Sequence, residues 1–434
     1  MPALLRQIFL TWTCLLAVGC GGAGDAVPPA VEDAHADTAT TFDSIDTFVD
    51  SMAVQTVDAA PADAASADAA VVDPADASAA PDAAAPDALL PPTTLWVHYP
   101  KAAEIALRGD TPPLSWVKDL PPSAVENAIA KFILPQAKQI VLKTTLKGAW
   151  AIGNNQIVLD HEQRHLYPYF DPASAAATRE NYDLNGPEPG KSRTLRAWLP
   201  PGYQENTLAH YPLLFMLDGQ NVFDDQTASF GVSWKLGDAV LQAMAAAKLG
   251  EIVVIAVDHA GPKRIFEYTP WPDASIKDGG GGEAFLVWVD NTALPDAKMR
   301  YRLLDDRTQR AIGGSSLGGL MAMYALASRP QTWGNAICMS GSWWWDNLHM
   351  QKWLPSVWQT LLPVRIWLDV GTDKDGLDDA LTLRDTLLKL GMKDPQTLGF
   401  YKAEGAAHSE AWWAKRVHLA LEYLFDSGNL KTPF

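Results

Sequence analysis

The chain has 434 residues, enough for two or three domains, and a formal net charge of −17 at pH 7. Between Arg6 and Lys101 it contains no lysine or arginine but many aspartates, so most of the negative charge lies near the N-terminus. The remainder is close to neutral, and the low isoelectric point says little about a substrate. Because no basic stripe is present, we expect no nucleic-acid partner.

The first residues have the pattern of a secretory signal. Arg6 precedes an apolar run over 8–18, and Gly19 and Cys20 follow. Residues 17–20 resemble a bacterial lipobox, although Ala17 occupies a position where leucine is commoner. We expect a signal peptide over 1–19, lipidation of Cys20 and a cell-envelope lipoprotein, facing the periplasm or the exterior from the outer membrane. The alternative is an ordinary secretory signal with a coincidental cysteine.

Residues 20–92 are rich in alanine, aspartate and proline and almost lack aromatic residues. Such a segment buries too little apolar surface to offset its ordering entropy, so we predict a disordered linker. Behind a lipid anchor, an extended and self-repelling linker would hold the following domain away from a membrane. The anchor is the only membrane contact that we expect.

Residues 93–185 are predicted to form a small all-β sandwich. Short apolar and β-branched runs are separated by proline, glycine and aspartate, and they cover 95–99, 104–108, 139–143 and 156–159. The stretch 124–132 is an exception, since its composition favours a helix.

Residues 190–434 alternate between two kinds of segment. Apolar runs of strand length cover 194–199, 213–217, 252–257, 310–312, 336–339, 365–370 and 398–401. Helical stretches lie between them, over 234–248, 285–291, 317–328, 377–390 and 410–425. This alternation predicts a mostly parallel sheet covered by helices on both faces, with its active site at the carboxyl ends of the strands.

The pattern Gly-x-Ser-x-Gly occurs once in the appropriate context, with Ser316 between Gly314 and Gly318. A predicted strand precedes it and a predicted helix follows, as a nucleophile elbow requires. A serine hydroxyl is a poor nucleophile at neutral pH, so it needs a base and an acid that orients the base.

In sheets of this type the acid and then the histidine follow the serine along the chain. Asp375 lies in a loop after the strand 365–370, before a glycine and the next helix, and we select it as the acid. Asp373, Asp378 and Glu410 remain possible. His408 follows the last strand and precedes a helix, so we predict it as the base.

Two backbone amides are expected to form the oxyanion hole. One is that of Leu317, which follows the nucleophile, and the other is that of Gln220, in the glycine turn after the strand 213–217. No Cys/His cluster has metal-ligand spacing, so neither a metal nor a cofactor is expected. Cys338 is interpreted as a buried structural thiol.

From Arg193 onward the chain resembles the enterochelin-esterase and esterase-D-like branch of the α/β-hydrolases. The matching motifs are Leu217-Asp218-Gly219-Gln220-Asn221, Arg264 with Glu267-Tyr268-Thr269-Pro270, Gly314-Ser315-Ser316-Leu317-Gly318-Gly319, Ser340-Gly341-Ser342-Trp343-Trp344 and Gly405-Ala406-Ala407-His408-Ser409-Glu410. The resemblance implies an α/β-hydrolase fold and a triad of Ser316, Asp375 and His408. Members often carry an N-terminal sandwich of the early-set kind, which residues 93–185 resemble more weakly.

The resemblance implies a serine carboxylic-ester hydrolase that works through an acyl-enzyme. Its expected substrate is a small or polysaccharide-linked ester, such as a siderophore lactone or a feruloyl or acetyl ester. Tryptophans at 343–345, 353, 412 and 413 either stack on an aromatic acid or sugar, or simply pack the core. The alternatives are an acyltransferase with the same triad and a non-catalytic surface module. The sequence leaves the oligomeric state open.

Overall fold

A computed structural model describes residues 92–358 and 363–425. The predicted signal peptide, Cys20 and residues 20–91 of the predicted linker lie outside the described residues. Within the described ranges, no helix combines the length and the apolar character needed to cross a membrane.

The first folded region consists of two small sheets that share one apolar core. Its strands are β1 (Thr94–His98), β2 (Ile105–Gly109), β3 (Ala124–Glu126), β4 (Ile129–Ile133), β5 (Gln139–Leu146), β6 (Ala149–Trp150), β7 (Gln156–Leu159) and β8 (Gln163–Leu166). One sheet has the order β3-β4-β1-β8, and the other contains β2-β5-β6 with β7 paired to β5. Side chains of both sheets, among them Val97 and Leu107, meet in the core. The expected β-sandwich is confirmed.

The helical composition of residues 124–132 was misleading, because β3 and β4 form an antiparallel pair there. The chain turns at Asn127, whose φ is 53°. β4 also pairs with β1 along five residues, and its alternate residues Ala130 and Phe132 are buried in the core. Sheet pairing and burial outweigh the weak local helix propensity.

The second region is built on one eight-stranded sheet. The remaining strands are β9 (Thr178–Asn185), β10 (Ser192–Leu199), β11 (Leu213–Leu217), β12 (Val253–Val257), the short pair β13 (Pro272–Asp273) and β14 (Asp278–Gly279), β15 (Arg310–Ser315), β16 (Asn335–Met339), β17 (Arg365–Asp373) and β18 (Leu398–Ala407). The sheet order is β18-β17-β16-β15-β11-β12-β10-β9. The six strands from β18 to β12 run parallel, and β10 and β9 continue the sheet as antiparallel neighbours.

β9 changes the expected domain boundary. We expected the sandwich to extend to residue 185, but Thr178–Asn185 pairs with β10 along eight residues and therefore belongs to the larger sheet. Its side chains are mostly exposed, so it lacks the apolar run that marks the buried strands.

Helices cover both faces of the large sheet. The α-helices are α1 (Leu236–Ala245), α2 (Arg264–Glu267), α3 (Gly282–Trp288), α4 (Leu294–Arg300), α5 (Leu317–Ser328), α6 (Trp345–Val357), α7 (Leu377–Lys389) and α8 (Glu410–Phe425). A π-helical segment, Val289–Ala293, joins α3 to α4. Alternate residues of one strand enter opposite cores: Phe215 packs with α3 and α5, whereas Met216 packs with α1 and α8. The expected α/β-hydrolase architecture is confirmed.

Candidate active site

The residue at the predicted nucleophile position occupies a sharp turn between β15 and α5. Ser316 has φ 58° and ψ −122°, a positive φ that costs energy for any residue with a side chain. Its amide donates to the Met339 carbonyl at 3.0 Å, and its carbonyl accepts from the Ser342 amide at 3.0 Å. These bonds to the last residue of β16 and to the segment after it hold the strained turn in place.

The glycine before the turn is required by close approach. A Cβ on Gly314 would lie 2.8 Å from the carbonyl carbon of Gly318 and 2.9 Å from its Cα. Both contacts are with backbone, so the end of β15 and the start of α5 would have to separate. The pattern Gly-x-Ser-x-Gly therefore has a steric basis in this fold.

The Ser316 hydroxyl is nearly buried, since the residue is 5% exposed. Its Oγ lies 3.3 Å from the Oγ of Ser342. Ser316 follows β15, Ser340 follows β16, Asp375 lies just beyond β17 and His408 follows β18. These four strands are consecutive neighbours in the sheet, so the four residues share its carboxyl edge. Transfer of the Ser316 proton to His408 stays a prediction.

The predicted acid and base are in contact. His408 Nδ1 lies 2.5 Å from Asp375 Oδ1, and the Asp375 carboxylate has no exposed surface. Burial alone would raise the pKa of Asp375. Hydrogen bonds from His408, Ser340 and Gly371 outweigh burial, and the pKa is lowered. The buried carboxyl group is thus held in its ionised form beside the imidazole.

The other acids that the sequence left open have different surroundings. Asp373 and Asp378 are exposed. Glu410 is buried at the start of α8, and burial raises its pKa above the usual range. Of the four candidates, Asp375 is the one found in a hydrogen bond with His408 Nδ1.

The predicted oxyanion amides belong to two adjoining chain turns. Leu317 is the first residue of α5 and Gln220 is the middle residue of the short 3-10 helix Gly219–Asn221, so neither amide has an acceptor within its own helix. The two turns are close together, because a Cβ on Gly318 would lie 3.2 Å from Asp218 Oδ2.

Asp218 is itself tightly held. Arg264 donates to both of its carboxylate oxygens at 2.7 Å, and the Asp218 amide donates to the Tyr268 hydroxyl at 3.1 Å. The Gln220 side chain accepts from the His259 amide at 3.2 Å and donates to Ser229 at the same distance. The loop after β11 is therefore braced from two sides.

The tryptophans that follow β16 or begin α8 divide into two groups. Trp343, Trp345 and Trp413 are at most 3% exposed and are part of the cores, as the packing interpretation predicted. Trp413 also contacts His408 edge-on, with ring centroids 4.9 Å apart. Trp344 and Trp353 are only partly buried and pack at the edge of the core.

The family of the chain follows from a match to a family model. The model described as "Putative esterase" matches residues 186–421, which is more than half of the chain. The chain belongs to this esterase family. The expected resemblance to enterochelin esterases is confirmed, as is the expectation of a carboxylic-ester hydrolase.

Individual relatives of this esterase were found at moderate identity. An uncharacterized protein of Bacillus subtilis, YbbA, is 26% identical over 253 residues, covering 54% of this chain and 93% of the relative. The siderophore triacetylfusarinine C esterase of Aspergillus fumigatus is 29% identical over 145 residues, covering 32% of this chain and 46% of the relative. The iron(III) enterobactin esterase of Dickeya dadantii is 32% identical over 154 residues, covering 35% of this chain and 31% of the relative. This esterase thus spans less than half the length of both named siderophore esterases.

Sequence reasoning missed the partners that surround the acid. Ser340 and Arg416 both contact Asp375, and Ser342 contacts Ser316. One signal was available, because Ser340 and Ser342 follow a predicted strand at the edge where active sites lie. Arg416 gave no signal, since an arginine in an amphipathic helix ordinarily faces solvent.

Cys338 is buried in the sheet, and burial raises the pKa of its thiol far above the usual range. It therefore behaves as a small apolar side chain in this esterase.

Proposed function

We propose that this esterase hydrolyses a siderophore ester through an acyl-enzyme on Ser316, with His408 as base and Asp375 as the acid that orients it. The observation that carries the proposal is the pairing of a buried, ionised Asp375 with His408, at the edge where Ser316 occupies a strained turn. The alternating order of strands and helices brings all three residues to the carboxyl edge of the sheet.

In the proposed acylation step, His408 Nε2 takes the proton of the Ser316 hydroxyl while Oγ attacks the ester carbonyl carbon. The C–O bond of the leaving alcohol then breaks, and the alcohol receives the proton from His408. Water, deprotonated by the same imidazole, attacks the acyl-enzyme and releases the acid and free Ser316. Asp375 keeps the proton of His408 on Nδ1, so Nε2 faces the serine as an acceptor.

The negative charge of the tetrahedral intermediate would be held by the amides of Leu317 and Gln220. Leu317 begins α5, and Gln220 lies within the first turn of the short 3-10 helix, so neither backbone N–H has an acceptor within its own helix. Each such donor typically contributes about 3 kcal/mol in the transition state.

A siderophore substrate is supported by two named relatives, whose names describe hydrolysis of triacetylfusarinine C and of iron(III) enterobactin. The partly buried indoles of Trp344 and Trp353 offer apolar surface for a large organic ligand. Feruloyl and acetyl-carbohydrate esters are the competing substrate class. Comparing their kcat/KM with that of siderophore esters distinguishes the two classes.

The test is labelling with a fluorophosphonate, followed by peptide mapping and an ester panel. We expect the label on Ser316 in the wild type, and Ser316→Ala should lose at least about a thousandfold in kcat on an aryl ester. Ser315→Ala is the matched control, because Ser315 is also buried but lies one position from the turn. Wild-type turnover by Ser316→Ala would refute the proposal.

In the panel, catecholate and hydroxamate siderophore esters should have a higher kcat/KM than feruloyl or acetyl-sugar esters.

We also propose that Cys20 is lipidated and anchors the esterase to the outer membrane. Support comes from the lipobox-like residues 17–20 and the spacer-like composition that follows. Labelling with a palmitate analogue should mark the wild type but not Cys20→Ala, and Cys20→Ala should move to the soluble fraction. Equal labelling of both would contradict lipidation at this residue.

A further inference from the structure

The Asp375 carboxylate is held from the side opposite His408 by a buried polar group of residues. Its Oδ2 accepts hydrogen bonds from the Ser340 hydroxyl and from the Gly371 amide, both at 2.5 Å. Its Oδ1 is left to His408. The two oxygens thus have separate functions: one is fixed to the sheet and the other faces the base.

The Ser340 hydroxyl has its hydrogen-bonding capacity fully used. It accepts from Trp413 Nε1 at 3.0 Å and from Arg416 Nη2 at 2.6 Å. A hydroxyl group has two acceptor positions and one proton, so both acceptor positions are occupied by these donors. Its proton is therefore directed to Asp375, and the hydroxyl cannot turn away.

Arg416 is fixed by a second carboxylate. Its Nε donates to Asp369 Oδ1 at 2.9 Å, and Asp369 Oδ2 accepts from Trp367 Nε1 at 2.8 Å. Arg416 is 3% exposed and Asp369 is fully buried. The guanidinium also lies 3.6 Å from Asp375 Oδ2, so one buried cation serves two buried carboxylates.

The backbone of Ser340 adopts an unfavourable conformation at this point. Its φ is 44°, in the left-handed region that serine rarely adopts, and its amide donates to the Asp369 carbonyl at 2.9 Å. A glycine would adopt this conformation without strain. Strain of this kind persists where the surrounding structure enforces it, and here it accompanies a side chain that contacts the acid.

We propose that Ser340 and Arg416 are positioning residues: Arg416 orients the Ser340 hydroxyl, and Ser340 holds Asp375 in the rotamer that faces His408. This inference rests on the proposed function, because it assigns the two residues to the same triad. Neither residue needs to touch substrate. Asp369 serves as the second anchor that keeps the guanidinium in place.

Arg416 is the cation between two buried carboxylates, those of Asp369 and Asp375. Burial raises the pKa of Asp369, whereas hydrogen bonds hold the pKa of Asp375 below its usual range in spite of burial. The bonds from Ser340 and Gly371 are among those that favour the ionised form of the acid that contacts His408.

The decisive variants are Ser340→Gly and Ser340→Ala. Both remove the hydroxyl, but glycine also removes the backbone strain at φ 44°. If Ser340 had a purely structural role, Ser340→Gly should therefore keep more stability and more activity than Ser340→Ala. We expect kcat on an aryl ester to fall about 30–100-fold in both, with KM within about twofold, because a displaced acid misaligns the base without altering the substrate pocket. Wild-type kcat in a folded Ser340→Gly would overturn the proposal.

A second pair of variants tests the cation. Arg416→Gln should lose about a hundredfold in kcat, and Arg416→Lys should recover at least about tenfold over Gln, because it restores the charge beside Ser340. If Gln and Lys lose kcat equally while both remain folded by circular dichroism, the role of the charge is refuted.

A spectroscopic measurement separates this proposal from the proposed function. The proton between His408 Nδ1 and Asp375 Oδ1 should give a far-downfield resonance in the ¹H NMR spectrum, because the bond is short and charge-assisted. We expect the resonance to persist in Ser316→Ala and to shift or disappear in Ser340→Gly. An unchanged resonance in Ser340→Gly would refute the proposal that Ser340 positions Asp375, even if the wild-type protein is an active esterase. If the wild-type protein shows the resonance but is not labelled by the fluorophosphonate, the proposed function is refuted instead.

Discussion

His408 Nδ1 and Asp375 Oδ1 lie 2.5 Å apart, although 33 residues separate them along the chain. Parallel pairing of β17 with β18 brings the loops that carry them together. The contact is between a buried carboxylate whose pKa is lowered and a partly exposed imidazole. It provides the basis for the first prediction.

Asp375→Asn should reduce kcat by about 10²–10⁴ on an aryl ester, with little change in KM. The asparagine amide would donate to His408 Nδ1 and leave the imidazole proton on Nε2, where the serine needs an acceptor. Steady-state kinetics on the purified protein measure the effect. Asp373→Asn is the matched control, since Asp373 is an exposed residue at the end of β17, two positions before Asp375, and it should remain within about twofold of wild type. A large loss in the control would reassign the acid.

The second prediction concerns the Gln220 amide. Gln220→Pro removes its N–H, and proline is tolerated in the first turn of a helix, especially after a glycine such as Gly219. We expect kcat to fall by about 10²–10³ because one oxyanion donor is lost. Gln220→Ala retains the N–H and removes the contacts to His259 and Ser229, so it separates the amide from the side chain. Equal losses in the two variants would argue against an oxyanion function for this amide.

The elbow and the large sheet were predictable because their signals are local. The strand, the glycines and the helix around Ser316 follow one another within twenty residues, and the buried strands are apolar runs. β9 was assigned to the wrong region, because an exposed strand is defined by its neighbour, β10, and not by its own hydrophobicity. For the same reason 124–132 became two strands despite helical composition.

The surroundings of Asp375 could not be predicted in the same way. Ser340 and Arg416 are 76 residues apart and meet only because α8 packs beneath β16 and β17. Arg416 is buried because Asp369 and Ser340 accept its hydrogen bonds, which is a property of the folded state. A sequence indicates which residues can ionise, but the packing of distant segments determines which of them are paired.

The third prediction concerns Gly314. In Gly314→Ala the new Cβ would meet the Gly318 backbone at 2.8 Å, so β15 and α5 must move apart. We expect the free energy of unfolding to fall by about 2–3 kcal/mol and fluorophosphonate labelling to slow markedly. Urea unfolding measures the first effect. Gly231→Ala is the control: Gly231 has φ 70° but nothing within 4 Å of the added Cβ, so only the conformational cost of about 1 kcal/mol is expected. The steric explanation fails if both variants lose the same stability and label at the wild-type rate.

The last prediction concerns pH and the sandwich. His98 Nε2 lies 2.7 Å from His165 Nδ1, and the His98 ring stacks on Tyr167. Burial, and then the charge of His165, lower the pKa of His98 from 6.5 to about 4. Between these two pH values the unfolded chain binds a proton at this position and the folded chain does not. The stability of the esterase should therefore decrease as the pH falls from 6.5 to 4, and this contribution should level off below pH 4.

His98→Phe keeps a ring that can stack on Tyr167 but has no group that titrates, so the dependence of its thermal midpoint on pH should be flatter than that of the wild type across this window. His210→Phe controls for the loss of an exposed histidine and should follow the wild-type curve. Because carboxylates also titrate near the acid end, the difference between the two variants is the quantity to compare. Parallel curves for His98→Phe and the wild type would show that folding does not lower the pKa of His98.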